Sequence, residues 1–295
     1  MACHVAHTEQ PTCMMDKLHT LIPRWEQDAS LLLPTRLRER VLAMDRLEDL
    51  LFAAQGEPAM ATSLLSRAQA LHARLANTQR ELALDIREAI MRGDGAQALR
   101  AWLQPSAHPQ DPQGYDHLDA LVSEVLSFDE PGAGIAELDE EMVFYQPTPA
   151  RHVFELGERA GITAEDVVID IGSGLGHVPL LLSICTGARC IGIERERLYV
   201  ESARRCVRAL QLGRVSFVAG DAREADLSQG TVFYLYTPFA GSILRQVLDK
   251  LKLQAGQRDI RIATLGPCTA SIAIEPWLAP VGTPEVHRIA LFRSR

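Results

Sequence analysis

Asp170, Gly172, Ser173, Gly174 and Gly176 crowd into one short stretch, Val167-Val168-Ile169-Asp170-Ile171-Gly172-Ser173-Gly174-Leu175-Gly176. A β-branched apolar run that ends in an acid and passes into a glycine-rich turn reads as a strand tip aimed at a ligand. Gly172 and Gly174 allow a sharp turn and close backbone approach, while Gly176 permits tight helix-on-strand packing. Glu194 follows 24 residues after Asp170 and closes Cys190-Ile191-Gly192-Ile193-Glu194. Its two oxygens suit a pair of vicinal ribose hydroxyls, with an ion pair to Arg195 or Arg197 as the structural alternative. Asp221, in Ala219-Gly220-Asp221-Ala222, suits an exocyclic amine beside the Ala222 N–H; a turn cap is the alternative. The chemistry these residues share is recognition of a nucleoside.

The spacing separates two kinds of nucleoside. A dinucleotide fingerprint would place a third glycine or alanine where His177 stands, with a pyrophosphate at the helix start. An acid two residues before the first glycine instead suits an ammonium group and a sulfonium, so S-adenosylmethionine (SAM) is the expected cofactor. Tyr236 ends the run Val232-Phe233-Tyr234-Leu235-Tyr236 and precedes Thr237-Pro238-Phe239. Its ring and hydroxyl make it both a cofactor-binding and a catalytic candidate. Tyr145, with Phe144 and ahead of two prolines, is the second catalytic candidate, closing over the ligand from the other side; simple packing is the alternative for both. His177, His152 and His287 are conceivable bases, although histidines at helix starts and in strands are more often structural. No metal is expected. Cys3, His4, His7 and Cys13 lack supporting carboxylates, and the six cysteines show no C-x-x-C pairing.

These residues need a scaffold, and the hydrophobic pattern supplies it. From Pro11 to Ser106 apolar residues recur at helical spacing. Leu64, Ala68, Leu71, Leu75, Leu82, Ile86 and Ile90 form one stripe in a long helix from Thr62 to about Met91. Thr35 to Ala54 supplies a partner carrying Leu37, Val41, Met44, Leu47 and Leu51. The stripe serves as core or as a homodimer seam, and the bundle as a possible lid. Pro105 to Gly114 is connector-like, and a short helix from about His117 to Phe128 follows it. After Pro149, β-branched runs at Val167–Ile171, Cys190–Glu194, Val215–Ala219, Val232–Tyr236 and Ile260–Leu265 alternate with helices, which predicts a doubly wound, mainly parallel α/β sheet. Ile272–Leu278 and Val286–Phe292 are expected to close it as an antiparallel hairpin. The expected layout is a disordered leader over 1–10, a helical domain over 11–128, a connecting loop over 129–150 and a SAM-binding domain over 151–295.

Composition narrows the partners. With 38 acidic against 30 basic residues the formal charge is -8, which disfavours nucleic acid. The sequence lacks a secretory leader and an 18-residue apolar span, so a cytoplasmic protein without a membrane partner is expected.

Together these motifs resemble the class I SAM-dependent methyltransferases, a Rossmann-like fold, and the likeness covers roughly Tyr145 to Arg295. It implies a sheet order of 3-2-1-4-5-7-6, with SAM held by the glycine loop and the three acids. Phe144-Tyr145-Gln146-Pro147-Thr148-Pro149 with the glycine loop and Gly192-Ile193-Glu194 looks most like Dot1-type methyltransferases and their small bacterial relatives. Tyr236 stands where that family has asparagine, and basic nucleosome-binding segments are absent. Thr237-Pro238-Phe239 echoes the N-P-P-F/Y motif of amino-group methyltransferases without its leading Asn or Asp. The expected activity is methyl transfer to a small-molecule acceptor by in-line attack on the sulfonium methyl carbon, driven by alignment and desolvation. The alternatives are aminocarboxypropyl transfer or cyclisation releasing methylthioadenosine, to which a helical domain ahead of such a sheet is similar, and a non-catalytic SAM-binding regulator.

Overall fold

The computed structural model describes residues 11–54, 62–103, 114–129 and 141–295, with backbone alone for 11–18, 54 and 62. The expected leader, the Cys3/His4/His7/Cys13 group, most of the Pro105–Gly114 connector and residues 130–140 of the connecting loop lie outside the described residues.

The chain divides into two compact units, Met1–Asp85 and Ile86–Arg295. The boundary between these units lies within α3 (Thr62–Met91), one continuous helix whose end belongs to the second unit.

In the first unit, α1 (Pro11–Gln27), α2 (Leu37–Ala54) and the first part of α3 surround Ile22, Leu31, Leu47, Leu50, Leu71 and Leu75. The predicted α3 stripe is buried at all its positions, from Leu64 to Ile90. Arg40 interrupts the apolar core. It is wholly buried, and its guanidinium donates to Gln79 Oε1 at 3.1 Å, Leu31 O at 3.1 Å and Leu33 O at 2.9 Å. Carbonyl dipoles thus carry much of the charge, and the Glu39 carboxylate adds electrostatic support.

In the second unit, the end of α3 is followed by α4 (Gly95–Arg100) and α5 (His117–Leu126). Asp116 and Asp119 form a reciprocal capping box at the start of α5, and Asp119 Oδ1 also accepts from Ala150 N at 2.7 Å, the first residue of α6 (Ala150–Arg159). The remaining elements alternate: β1 (Val167–Ile171), α7 (His177–Thr186), β2 (Arg189–Glu194), α8 (Arg197–Ala209), β3 (Val215–Ala219), β4 (Val232–Tyr236), α9 (Gly241–Ala255), β5 (Arg261–Leu265), α10 (Cys268–Ala273), β6 (Leu278–Val281) and β7 (Ala290–Ser294). The strands form one sheet of order β3-β2-β1-β4-β5-β7-β6, parallel through β5 and antiparallel at β7 and β6.

The hairpin strands differ from expectation. Residues Cys268–Ala273 form a helix, and β6 begins only at Leu278. Pro267 opens that helix, which buries Cys268, Thr269 and Ile272, so the run expected as a strand over Ile272–Leu278 begins inside a helix and only its last residue joins β6, while β7 begins four residues later than expected, at Ala290. Among the described residues no helix is long and apolar enough to cross a membrane, and no group of His, Cys, Asp and Glu gathers into a metal site.

Candidate functional site

The strand order reverses beside β1, between β2 and β4, and an open α/β sheet has its ligand crevice at such a point, outside the carboxyl ends of the strands. A cleft of about 930 Å³ lies there. Asp170, Gly172, Ser173, Glu194, Asp221, Ala222, Tyr145 and Tyr236 all line it, so the structure brings nearly every sequence-predicted residue together. Gly174 and Gly176 stand behind the surface and shape the loop.

The loop between β1 and α7 is fastened to β2. Gly172 N and Ser173 N donate to Ile193 O at 2.9 and 3.0 Å, and Gly176 N donates to Ser173 O at 2.8 Å. All three glycines have left-handed backbones, φ being 84° at Gly172, 52° at Gly174 and 90° at Gly176. The chain also covers each of them. A Cβ on Gly172 would run into the Pro238 ring, one on Gly174 into the Tyr145 ring, and one on Gly176 into Phe217 of β3. The role foreseen for Gly176 therefore holds, but at Gly172 and Gly174 the space a side chain would fill is used by other side chains of the protein.

Asp170 is 2% exposed. Burial first, and the nearby Glu194 carboxylate second, push its carboxyl well above the ordinary aspartate range. Two buried acids facing one cleft without a cation between them form a site that gains from a bound positive charge. Ser173 Oγ is buried without a hydrogen-bond partner among the described residues, and a buried orphan hydroxyl at a glycine loop fits a polar ligand group.

Glu194 has neither of the arginine partners considered above as its first fastening. Its Oε2 accepts from Gly174 N and its Oε1 from Glu196 N, both at 2.8 Å, so the carboxylate ties the glycine loop to the start of α8. Burial raises its pKa while these backbone N–H groups oppose the rise. The carboxylate also lines the cleft. Glu194→Gln is expected to weaken SAM binding by about 1 to 3 kcal/mol, because the amide keeps one acceptor where two are used. Calorimetric titration checks this, and an unchanged affinity would remove Glu194 from the site.

Asp221 takes the role of the turn cap. Its Oδ1 accepts from Arg223 N at 2.8 Å, and both oxygens accept from the Arg223 guanidinium, Nη2–Oδ2 being 2.6 Å. That partner lowers its pKa. The Asp-x-Arg spacing was visible in the sequence, but it did not reveal a bidentate pair.

Tyr145 is held on three sides. Its hydroxyl meets His177 Nδ1 at 3.1 Å and the Leu175 backbone N–H, and its ring packs on Tyr199 with centroids 4.9 Å apart. Burial pushes the His177 pKa down to about 4, so at neutral pH the imidazole beside the tyrosine hydroxyl is uncharged. Phe128 covers the other side of that imidazole, with centroids 4.7 Å apart. His152, a candidate base, is buried in α6 against Glu155 and does not line the cleft, nor does His287.

Tyr236 is half-buried at the β4 tip, and burial raises its pKa. Thr237 follows with φ 39°, a strained value for a β-branched residue. Its Oγ1 donates to Leu265 O and accepts from Cys268 N, both at 3.1 Å, so the strain is held by two bonds into the β5–α10 turn. Sequence reasoning missed Tyr234, whose buried hydroxyl lies 3.1 Å from Thr148 Oγ1 on the cleft floor, and Glu141, whose carboxylate accepts from Ser242 N, Ser242 Oγ and Ile243 N at 2.8–3.0 Å. Glu141 thereby caps α9, and the strap from Glu141 to Thr148 is pinned at both ends.

Residues 142–227 match the family model of protein-L-isoaspartate(D-aspartate) O-methyltransferase. A sterol 24-C-methyltransferase of Eremothecium gossypii is 35% identical over 88 residues, which is 30% of this chain and 24% of that protein. The sterol 24-C-methyltransferase of Saccharomyces cerevisiae is 30% identical over 88 residues, 30% of this chain and 23% of its own. The chain therefore spans about a quarter of the length of these relatives. Among solved structures, an RNA methyltransferase from Salinibacter ruber in complex with S-adenosylhomocysteine aligns at 27% identity and TM-score 0.42 over 50% of this chain and 92% of that one. The narrower Dot1 likeness gains no support from these matches.

Proposed function

We propose that this chain, which has the class I SAM-dependent methyltransferase fold, binds SAM in the cleft at the tips of β1, β2 and β3 and transfers its methyl group to a small-molecule acceptor. The observation that carries the reading is Asp170, a buried acid with a raised pKa beside Glu194, at the foot of a glycine loop with an orphan Ser173 hydroxyl. A cation answers the two acids, and the Ser173 hydroxyl suits a carboxylate.

The residues fit the cofactor as follows. Asp170 takes the ammonium group, Ser173 and the loop of Gly172, Gly174 and Gly176 the methionine end, and Glu194 the ribose hydroxyls through its remaining lone pairs. Ala222 faces the adenine. Asp221 has the lesser share there, since an adenine amine must compete with Arg223 for its oxygens. When bound, SAM supplies a methyl group on a sulfonium, whose C–S electron pair returns to sulfur as the acceptor's lone pair takes the methyl and the acceptor's proton passes to water. Tyr236 and Tyr145 line the cleft, and aromatic rings favour a sulfonium. The pinned strap holds the acceptor in line.

Incubation of the protein with SAM and a cell extract tests the reaction. S-adenosylhomocysteine is the expected by-product. Methylthioadenosine would instead support aminocarboxypropyl transfer or cyclisation, and neither product, with SAM bound, would support a regulator.

A further inference from the structure

Asp221 stands at the end of the cleft that suits the purine, and its acceptor positions are already taken. Oδ1 accepts from Arg223 N at 2.8 Å and Arg223 Nε at 3.0 Å, while Oδ2 accepts from Nε at 3.1 Å and Nη2 at 2.6 Å. A carboxylate has about four lone-pair sites, two on each oxygen, and a single residue faces all of them. The Arg223 bonds, and the charge of Arg195 to a lesser degree, hold the Asp221 carboxyl below its ordinary range, so it is ionised at neutral pH. Both Asp221 and Arg223 line the cleft, so the pair meets the ligand as a pair.

The backbone fixes this arrangement. Glu224 N and Ala225 N donate to Asp221 O at 3.0 and 3.1 Å, and the Lys250 ammonium on α9 donates to Arg223 O at 2.9 Å and Ala225 O at 2.6 Å. An aspartate that accepts from the backbone two residues on is a recurrent turn, and here that turn is also clamped to a helix. The side chains of Arg223 and Asp221 are 37% and 28% exposed. Pairs so open are ordinarily weak, but this one is bidentate and spans only two residues, so little chain freedom is lost in forming it.

A purine amine reaching Asp221 must therefore displace a guanidinium contact. The guanidinium brings a full positive charge and two donors side by side, whereas the amine is neutral and offers one N–H to an oxygen. The exchange favours Arg223.

Resting on the reading above, we propose that Arg223 is a specificity-determining residue: by occupying Asp221 it leaves the exocyclic amine of the purine unread, so the cleft takes sulfur nucleosides with or without that amine. Discrimination then falls to the ribose and the methionine end, at Glu194 and Asp170.

Calorimetric titration of the full chain with S-adenosylhomocysteine and with its 6-deamino analogue tests this. In the analogue hydrogen replaces the amine and the ring nitrogens are kept. The wild-type protein is expected to bind the two ligands within roughly fivefold of each other, the factor of one ordinary hydrogen bond. Arg223→Met keeps the aliphatic bulk and withdraws the guanidinium. It is expected to raise the preference for S-adenosylhomocysteine by at least that factor, through tighter binding of this ligand, a gain that misfolding cannot produce. Adding Asp221→Ala is expected to return the ratio to the wild-type value. A wild-type preference beyond that factor, a ratio that Arg223→Met leaves unchanged, or a gain that survives Asp221→Ala overturns the proposal. Absence of S-adenosylhomocysteine binding to the wild-type protein would overturn the functional reading itself, an outcome distinct from binding with the wrong selectivity.

Discussion

Gly174→Ala is expected to lower the melting temperature by about 5–15 °C and to abolish measurable SAM binding. Two costs combine. The backbone at Gly174 is left-handed, with φ 52°, which costs an L-residue about 1–2 kcal/mol. The new methyl would also occupy the position of the Tyr145 ring, and forced overpacking costs about 1–3 kcal/mol. For a unit of this size each kcal/mol shifts the midpoint by about 2–4 °C. Tyr145 cannot yield cheaply, because its hydroxyl is bound by Leu175 N–H and His177 and its ring lies on Tyr199. The ligand loop and the strap would be displaced together. Calorimetric scanning of the single variant and of Gly174→Ala in a Tyr145→Ala background separates the costs. The double variant is expected to lose only the backbone part; an undiminished loss there would show that the ring is not what the methyl meets.

Asp170→Asn is expected to act in opposite directions on stability and on binding. In the folded chain burial and Glu194 hold the Asp170 pKa well above its unfolded value of about 3.9. The folded state therefore binds the proton more tightly than the unfolded state. The stability this supplies is complete below the unfolded pKa and is lost as pH rises through the folded one. The amide removes that loss, so the variant free of ligand is expected to melt higher than wild type at pH 7, with the difference shrinking toward pH 4. Binding moves the other way. An ionised Asp170 and a ligand ammonium form a charged hydrogen bond worth about 1.5–3 kcal/mol, so SAM affinity is expected to fall about 10- to 100-fold. Wild-type binding is also expected to release more protons as pH falls, because the ligand ammonium drives ionisation of the raised Asp170 carboxyl, seen as a widening gap between the apparent heats in two buffers of unlike ionisation enthalpy. Equal heats in the two buffers together with an unraised melting point would refute the assignment.

The contrast between these two residues shows what the sequence displays and what it hides. Asp170, Glu194 and Asp221 stand at or just past the carboxyl ends of β1, β2 and β3, so their convergence follows from the rule that parallel strands present their carboxyl ends on one side. The sheet and the glycine loop were legible for that reason. The covering of Gly174 by Tyr145, of Gly172 by Pro238 and of Gly176 by Phe217 joins segments far apart in the chain, and no local period records such a contact. The Arg223 grip on Asp221 was close in sequence but depended on a rotamer. The strand expected over Ile272–Leu278 was misplaced because a short apolar run has no period of its own, and its first two residues close the Cys268–Ala273 helix. The division of the chain inside α3 was hidden by that helix's unbroken stripe, which gives no sign of where it passes from one core to another.

The covered glycines bear on how this protein can change over generations. Each small residue of the loop is matched to a large one contributed from a different stretch of chain. A replacement at either member of a pair meets an obstacle set by the other, so improvement by one substitution at a time is blocked along that route. Directed evolution of the cleft would progress fastest if libraries varied Gly174 with Tyr145, Gly172 with Pro238 and Gly176 with Phe217 as couples, treating each as a single heritable unit.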